Sequence, residues 1–283
     1  MGKYIDPFTD RGFKLLFGSE NRSEEFLISF LNELFKGETD FENIEKIKYG
    51  NTERSSDELT PRLIRFDIYC TTSTGHKFIV EMQNQSQDFF MSRAVYYISR
   101  TITQQGKRDQ SGKPWDYSFM PVVGVFMCNF NVPGLKKKLI THVGLMDTKT
   151  HEIISDKEHY TFIQLPEFKK TEGECITDFD KWIYLLKNMN KMERMPFIKS
   201  PNDIFSRFEK VSKVSSLNER ERELYEADLK FTRDFTAQLK FANKQGRDER
   251  NWEIARNLKK MGVDIQTISS ATGLNINDLN LNL

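Results

Sequence analysis

Residues 63–83 read LIRFDIYCTTSTGHKFIVEMQ, and this stretch decides the fold because polar and apolar residues alternate on both sides of a turn. The alternation predicts two β-strands, one from Leu63 to Cys70 and one from Lys77 to Gln83. Residues 71–75 (TTSTG) have the composition of a turn, and Gly75 suits a left-handed backbone position. The stretch is therefore predicted to form a β-hairpin.

The turn length sets which residues of the hairpin face each other. A three-residue loop, Ser73 to Gly75, pairs Thr72 with His76 and places Asp67 opposite Glu81. Directly opposed residues have Cβ atoms ~5 Å apart, so two carboxylates there repel each other. A divalent cation removes that repulsion, and Mg²⁺ accepts carboxylate oxygens while keeping waters for chemistry.

The geometry alone leaves two interpretations of Asp67 and Glu81 open. They are metal ligands, or they are ordinary solvent-facing acids of a strand pair. A register slip of one residue would send Asp67 to the opposite face of the sheet. The predicted register also places Gln83 opposite Arg65.

Patterns of helix and strand alternate through the rest of the first two thirds of the chain. Ser23 is a candidate N-cap for the first of these helices. The predicted helices cover residues 24–35, 88–105 and 179–187, and further strands cover residues 117–130 and 159–165. Residues 118–130 (SFMPVVGVFMCNF) are almost continuously apolar, which is typical of a strand buried on both faces. This mixture predicts an α/β fold.

The last third of the chain is expected to be helical and more polar. Composition divides the sequence into a core of residues 1–190, a charged helical arm of residues 191–245 and a small helical tail of residues 246–283. The tail is predicted as three short helices, which begin at Glu249, after the N-cap Asp264 and at Asn275, with the rhythm of a helix-turn-helix. Its last helix carries no Lys or Arg, so it is a poor reader of DNA unless Lys259 and Lys260 help. Packing or self-association is the preferred role.

Composition restricts the function classes. The 283 residues are 38% hydrophobic and 29% charged, and the net charge is only +1. A nucleic-acid-binding surface would therefore need a local basic patch. Three well-separated cysteines argue against a disulfide framework or a structural zinc site. The charged N-terminus is unlike a signal peptide, and no apolar run reaches the ~18 residues of a membrane span. We expect a cytoplasmic protein without membrane partners.

Several blocks of sequence occur in the order of a known family. They are TDRGFKLLFG (9–18), SEEFLISFLNELF (23–35), RFDIYC (65–70), FIVEMQNQ (78–85), FFMSRAVYYISR (89–100), FIQLPEFKK (162–170) and DKWIYLLKN (180–188). Together they resemble the PD-(D/E)XK nuclease-family transposases, also called Rpn-type recombination-promoting nucleases. The resemblance covers roughly residues 4–190, and ordered blocks are more specific than any single one.

The resemblance implies a restriction-endonuclease-like core, with a mixed central sheet flanked by helices and a helical C-terminal extension. It implies a DNA endonuclease, dependent on Mg²⁺ or Mn²⁺, that hydrolyses phosphodiester bonds in transposition or recombination. By this correspondence Asp67 and Glu81 hold the metal ion, and Gln83 orients the attacking water or the phosphate. Arg93 and Tyr97, four residues apart on one helix face, match a family pattern for contacting phosphate, with a plain helix-surface pair as the alternative.

One departure from the wider superfamily bears on activity. Gln83 stands where that superfamily has a lysine, and glutamine brings no positive charge to a transition state. Arg93 or Lys14 would replace the charge if the fold brings either close. The alternative function is therefore a weakly active or inactive nuclease-fold protein that binds DNA or a protein partner.

Other acids are weaker candidates for the metal site. Glu24 or Glu25 could complete the metal shell, but stabilisation of the helix dipole is the simpler role. Asp10 is expected to be a cap or turn residue. DNA is the expected partner, and a homodimer through the C-terminal helices is the expected assembly.

Overall fold

The computed structural model describes residues 2–18, 22–38, 41, 43–54, 64–106 and 117–282, in two compact units, residues 1–225 and 226–283. The helices are α1 (Asp10–Phe17), α2 (Glu24–Leu34), α3 (Phe90–Thr103), α4 (Asp178–Asn188), α5 (Ile204–Ser212), α6 (Glu219–Lys260), α7 (Ile265–Thr272) and α8 (Ile276–Asn282). The strands are β1 (Ile47–Tyr49), β2 (Glu53–Arg54), β3 (Ile64–Arg65), β4 (Ile68–Thr72), β5 (Lys77–Gln83), β6 (Val122–Cys128), β7 (Ile140–Met146) and β8 (Ile153–Gln164).

Six strands form one mixed sheet in the order β1-β4-β5-β6-β8-β7. The three central strands, β5, β6 and β8, are parallel neighbours, whereas β1 with β4, β4 with β5, and β7 with β8 are antiparallel. Strands β2 and β3 form a separate two-stranded sheet. The predicted restriction-endonuclease-like α/β fold, with a mixed central sheet and flanking helices, is confirmed.

The predicted hairpin register is confirmed across the turn. Ile68 faces Val80, and the Thr72 N–H donates to the His76 carbonyl oxygen at 2.9 Å. Gly75 has a φ of +93°, a conformation that disfavours any residue with a Cβ. Extending the same register by one step sets Asp67 opposite Glu81.

The first strand of the hairpin is interrupted, which the sequence did not predict. The expected continuous strand from Leu63, itself outside the described residues, ends at Arg65 and resumes at Ile68. Arg65 pairs with Glu53 of β2, so the predicted pairing of Arg65 with Gln83 is wrong. Between the two strands the Phe66 N–H donates to the Thr52 carbonyl oxygen at 3.0 Å, which turns the chain away from β5.

Helices cover both faces of the sheet. On one face, Ala94 and Ile98 of α3 pack in one cluster with Ile79, Val122 and Phe126. On the other face, the Phe35 ring beyond α2 lies 6.0 Å from the Phe78 ring. Residues 122–128 are all buried, as their apolar run predicted. Glu81 and Gln83 share the parity of Ile79, so they lie on the α3 face.

An aromatic cluster around Trp182 of α4 fixes α1. The Trp182 ring is buried and lies 6.0 Å from the Phe17 ring of α1 and 4.9 Å from the Phe208 ring of α5. Its indole N–H donates to Ser29 Oγ of α2 at 3.1 Å. Because four helices share this cluster, α1 cannot shift without disturbing it, and the side chains of α1 are held in place.

The helical C-terminal extension is confirmed, but its helix boundaries differ from the prediction. Residues predicted to start a helix at Glu249 belong instead to the 42-residue α6, which runs through Gly246. An interior glycine costs ~1 kcal/mol relative to alanine, which a long helix tolerates. Buried Ala255, Ile268 and Leu279 pack α7 and α8 on the end of α6. The three-part division of the chain stays a prediction.

Within the described ranges, no helix is both long and apolar enough to cross a membrane. Cys70, Cys128 and Cys175 are buried free thiols.

Candidate active site

Where β4 and β5 separate, the side chains of Asp67 and Glu81 accept the hydrogen bonds that backbone carbonyl groups accept within the sheet. The Asp67 N–H donates to Glu81 Oε1 at 3.1 Å, and the Met82 N–H donates to Asp67 Oδ2 at 2.8 Å. Each carboxylate therefore accepts a backbone hydrogen bond from the opposite strand. These reciprocal bonds hold the two acids side by side at one junction, as the register predicts.

Burial makes this pair of acids costly when both are ionised. Glu81 is only 3% exposed, and Asp67 is partly exposed. Desolvation raises the pKa of Asp67 to about 7, with a further increase from the nearby Asp10 carboxylate. Desolvation, followed by the charge of Asp67, also raises the pKa of Glu81. Two adjacent carboxyls with raised pKa values are typical of a functional site, such as one that binds a cation.

Gln83 connects Glu81 to Arg93 of α3. The Gln83 amide nitrogen donates to Glu81 Oε2 at 3.0 Å, and Arg93 donates to the Gln83 amide oxygen. Arg93 also donates to Gln87 Oε1 at 2.6 Å. These hydrogen bonds connect Arg93 through Gln83 to Glu81 and bring a positive charge behind the buried carboxylate. The charge of Arg93 partly offsets the increase that burial causes in the pKa of Glu81.

Tyr97 lies on the same helix face as Arg93. The Arg93 guanidinium is 5.9 Å from the centre of the Tyr97 ring and 5.6 Å from that of Phe90. Burial, and then the charge of Glu81, raises the pKa of Tyr97 to about 12, so its hydroxyl is protonated at neutral pH. The structure therefore brings all five predicted site residues into one neighbourhood, although their roles stay predictions.

Asp10 is a site residue that the sequence interpretation missed. Thr9 is the N-cap of α1, because its side chain accepts from the Gly12 N–H at 3.0 Å, so Asp10 is not the cap. The charge of the nearby Asp10 carboxylate instead raises the pKa of Asp67, and Asp10 forms an ion pair with Lys14 at 2.8 Å. The spacing of Asp10 and Lys14 favours an ion pair on a helix, but it does not indicate that the pair lies beside Asp67.

Glu24 and Glu25, the other predicted candidates for the metal shell, have structural partners. Glu24 Oε1 accepts from the Ile47 N–H of β1 at 3.3 Å. Glu25 forms an ion pair with Arg207 of α5 at 2.8 Å. The first-helix acid beside Asp67 is therefore Asp10 of α1, one helix earlier than expected.

Asp67 lines a polar cleft with a volume of about 430 Å³. Basic side chains make up much of its wall. The lining residues are Arg11, Lys14, Leu15, Gly18, Arg22, Thr52, Asp67 and Glu221. A cleft that combines a carboxylate floor with a basic wall suits a metal ion together with an anionic substrate.

The donor set fits Mg²⁺ or Mn²⁺ bound in part by its substrate. Across the described residues, no three His, Cys, Asp or Glu side chains converge as a preformed metal cage. Mg²⁺ commonly takes one or two protein carboxylates and completes its shell with waters and phosphate oxygens. Asp67 and Glu81 provide such a pair, and a bound cation would favour the ionised forms that burial disfavours when it raises both pKa values.

Comparison with known proteins agrees with this arrangement. No curated protein and no solved structure matches the chain. The family model described as PD-(D/E)XK nuclease family transposase matches residues 7–242, which include α1, the hairpin and α3. The chain therefore belongs to the PD-(D/E)XK nuclease family transposases.

Proposed function

We propose that this protein is a metal-dependent DNA endonuclease that hydrolyses phosphodiester bonds in transposition or recombination. The observation that carries the proposal is the pairing of buried Glu81 with Asp67, because Asp67 lines a cleft with basic walls. Family membership supports a nuclease linked to transposition. Two adjacent acids without a cation destabilise the fold, so a metal-binding role explains why the structure tolerates them.

Each proposed site residue has its own role. Asp67 and Glu81 hold Mg²⁺ or Mn²⁺, which when bound neutralises charge on the phosphate and acidifies a water. In the hydrolysis the water oxygen bonds to phosphorus, one ester P–O bond breaks, and the departing oxygen takes a proton. Gln83 fixes the orientation of Glu81 through its amide nitrogen. Arg93 and Tyr97 are proposed to contact the substrate phosphate from the α3 side.

Cleavage of supercoiled plasmid tests this function. The purified chain is incubated with plasmid in Mg²⁺, in Mn²⁺ and in EDTA. We expect nicked and linear products with either metal and none in EDTA. Intact plasmid in every condition, together with retained DNA binding, would favour the weakly active or inactive relative. That alternative draws support from Gln83, which supplies no charge of its own.

Removal of the Arg93 charge should shift the pH dependence of cleavage. Since Arg93 lowers the pKa of Glu81, Arg93→Met is expected to raise that pKa and to move the acidic limb of the rate–pH profile to higher pH. We expect a rate about 100-fold lower at neutral pH, at the lower end of the range for one acid–base or electrostatic contribution. The profile is measured from pH 5 to 9.

Arg93→Lys is the matched control for this change because it retains the charge. It should restore most of the rate and the original position of the limb. An unmoved limb in Arg93→Met would show that Arg93 does not act through Glu81.

The cysteines bear on the cellular compartment of the protein. Three buried free thiols fit a reducing compartment, so we propose a cytoplasmic protein.

We also propose a homodimer through α6, because Phe231 and Phe235 are 68% and 46% exposed on adjacent turns. Their rings stack at 6.2 Å with nearly parallel planes. A second copy would cover this apolar surface.

Phe231→Ser with Phe235→Ser should therefore convert a dimer to a monomer without loss of folded structure. The change removes an apolar surface that a partner copy would bury, while both positions are exposed in one chain. Light scattering after size exclusion gives the mass of each protein. Ser216→Ala, outside α6, is the control. A wild-type monomer at tens of micromolar, or a double variant that stays dimeric, would contradict this assembly.

A further inference from the structure

The Gln83 side chain is already engaged at both ends. Its amide nitrogen donates to Glu81 Oε2 at 3.0 Å, and its amide oxygen accepts from Arg93. Arg93 in turn donates to Gln87 and lies against the rings of Phe90 and Tyr97. Gln83, two residues after Glu81 on β5, is thus committed to holding Glu81. A positive charge for the phosphate on the cleft side of the acids must therefore come from another element.

Lys14 of α1 supplies a positive charge on the cleft side of the acids. Its side chain is 30% exposed and lines the same cleft as Asp67. The Lys14 Nζ lies 2.8 Å from Asp10 Oδ1 and 3.0 Å from Asp10 Oδ2, and the Asp10 carboxylate is near enough to Asp67 to raise the pKa of Asp67. Lys14 also lowers the pKa values of both Asp67 and Glu81, so its charge reaches both carboxylates.

Arg22, another basic residue of the wall, is held more firmly than Lys14. Arg22 is fixed by three partners: Glu221 at 3.1 Å, the Val211 carbonyl oxygen at 2.8 Å and the Ser216 hydroxyl at 2.9 Å. Lys14 pairs instead with Asp10 on its own helix, where both side chains are partly exposed to solvent. An exposed i,i+4 ion pair contributes only ~0.5 kcal/mol, so a phosphate can displace it at little cost.

We infer that Lys14 is a catalytic residue, which donates from Nζ to a non-bridging oxygen of the scissile phosphate and supplies the positive charge that Gln83 lacks. This inference rests on the proposed nuclease function. Asp10 would hold the Lys14 ammonium beside Asp67 until the substrate arrives. Lys14 would then exchange one oxygen partner for another, without a change in its own protonation.

Lys14→Met tests the inference, because methionine keeps an unbranched stem but removes the charge. Lys14→Arg retains a charge in a different shape, and Lys36→Met is the matched control. Lys36 also forms a helical ion pair, with Glu33 at 3.1 Å, but lies outside the cleft. Folding of each variant is checked by circular dichroism and thermal melting.

Two measurements are made on each protein. Plasmid cleavage in Mn²⁺ should fall about 100-fold in Lys14→Met, the range for loss of one transition-state donor, and recover in part in Lys14→Arg. Binding to a short duplex in Ca²⁺ is followed by fluorescence anisotropy over a range of salt. The slope of log K against log salt should shrink by ~0.9 in Lys14→Met, which corresponds to one lost phosphate contact.

The outcomes separate this inference from the proposed function. If the wild type cleaves but Lys14→Met matches Lys36→Met in rate and salt slope, Lys14 has no role and the nuclease function stands. A wild type that binds but does not cleave rejects the function, and the salt slope alone then decides whether Lys14 contacts phosphate. Absence of both binding and cleavage in the wild type overturns both proposals.

Discussion

Asp67→Asn is expected to lower the rate of plasmid cleavage about 1,000-fold while the protein stays folded. The amide oxygen of asparagine can still accept from the Met82 N–H, so the junction of β4 and β5 keeps its shape. The lost negative charge, in contrast, removes half of the proposed metal-binding pair. Metal-ion catalysis supplies several kcal/mol of transition-state stabilisation, and ~4 kcal/mol corresponds to about three powers of ten in rate. Initial rates in Mg²⁺ and Mn²⁺ measure the effect.

Two comparisons make the result specific. Glu81→Gln should give a similar loss, whereas Asp156→Asn, at an exposed aspartate of β8, should cleave at the wild-type rate. Asp67→Asn should also fail to bind Mn²⁺ in calorimetry. Wild-type cleavage by Asp67→Asn would show that the active site lies elsewhere, even if the fold and family assignment remain correct.

The hairpin was predictable because its determinants are local. Alternation fixes which residues share a face, and the turn at Gly75 fixes the register. The juxtaposition of Asp67 and Glu81 follows from those two features. The break at Phe66 did not follow from them, because the backbone there is diverted by Thr52, which lies more than ten residues away in the chain.

Asp10 was missed for a related reason. Its position beside Asp67 depends on where α1 lies against the sheet, and that placement is set by the aromatic cluster around Trp182. No local pattern reveals contacts between residues so far apart in sequence. Glu24 and Glu25 were attractive because they occupy a helix start, yet their backbone and ion-pair partners lie in β1 and α5.

The edges of the sheet and α6 show limits of periodicity as a signal. Strand β7 was not predicted, because most of its residues are half-buried and it lacks a clear alternation. In α6, a new helix was predicted from Glu249, whereas one helix continues to Lys260. Helices α2 and α4 bury a clear stripe of residues, so their limits were predicted to within one residue. Strand β8, in contrast, begins six residues before its predicted start, and α1 was not predicted as a helix.

Without metal, the free energy of unfolding should fall as pH rises from about 5 to 7 and then level off. In the unfolded chain an aspartate releases its proton near pH ~4. In the native protein burial raises the pKa of Asp67 to about 7 and that of Glu81 in the same direction. The native state therefore holds more protons in this window, and each such carboxyl lowers stability by up to ~1.4 kcal/mol per pH unit. Urea unfolding in EDTA at several pH values measures the slope.

Comparison of Asp67→Asn with the wild type isolates the contribution of Asp67 from all other titrating groups. The variant should lose part of the slope, and at pH 8 without metal it should be more stable than the wild type because one buried charge is gone. Mg²⁺ should stabilise the wild type more at pH 8 than at pH 5, because a cation competes with protons for the same oxygens. Equal slopes in the two proteins, or a Mg²⁺ effect of the same size at both pH values, would contradict a metal site at Asp67. Greater stability gained together with lost cleavage would instead show that the acids are kept at the expense of the fold because the chemistry requires them.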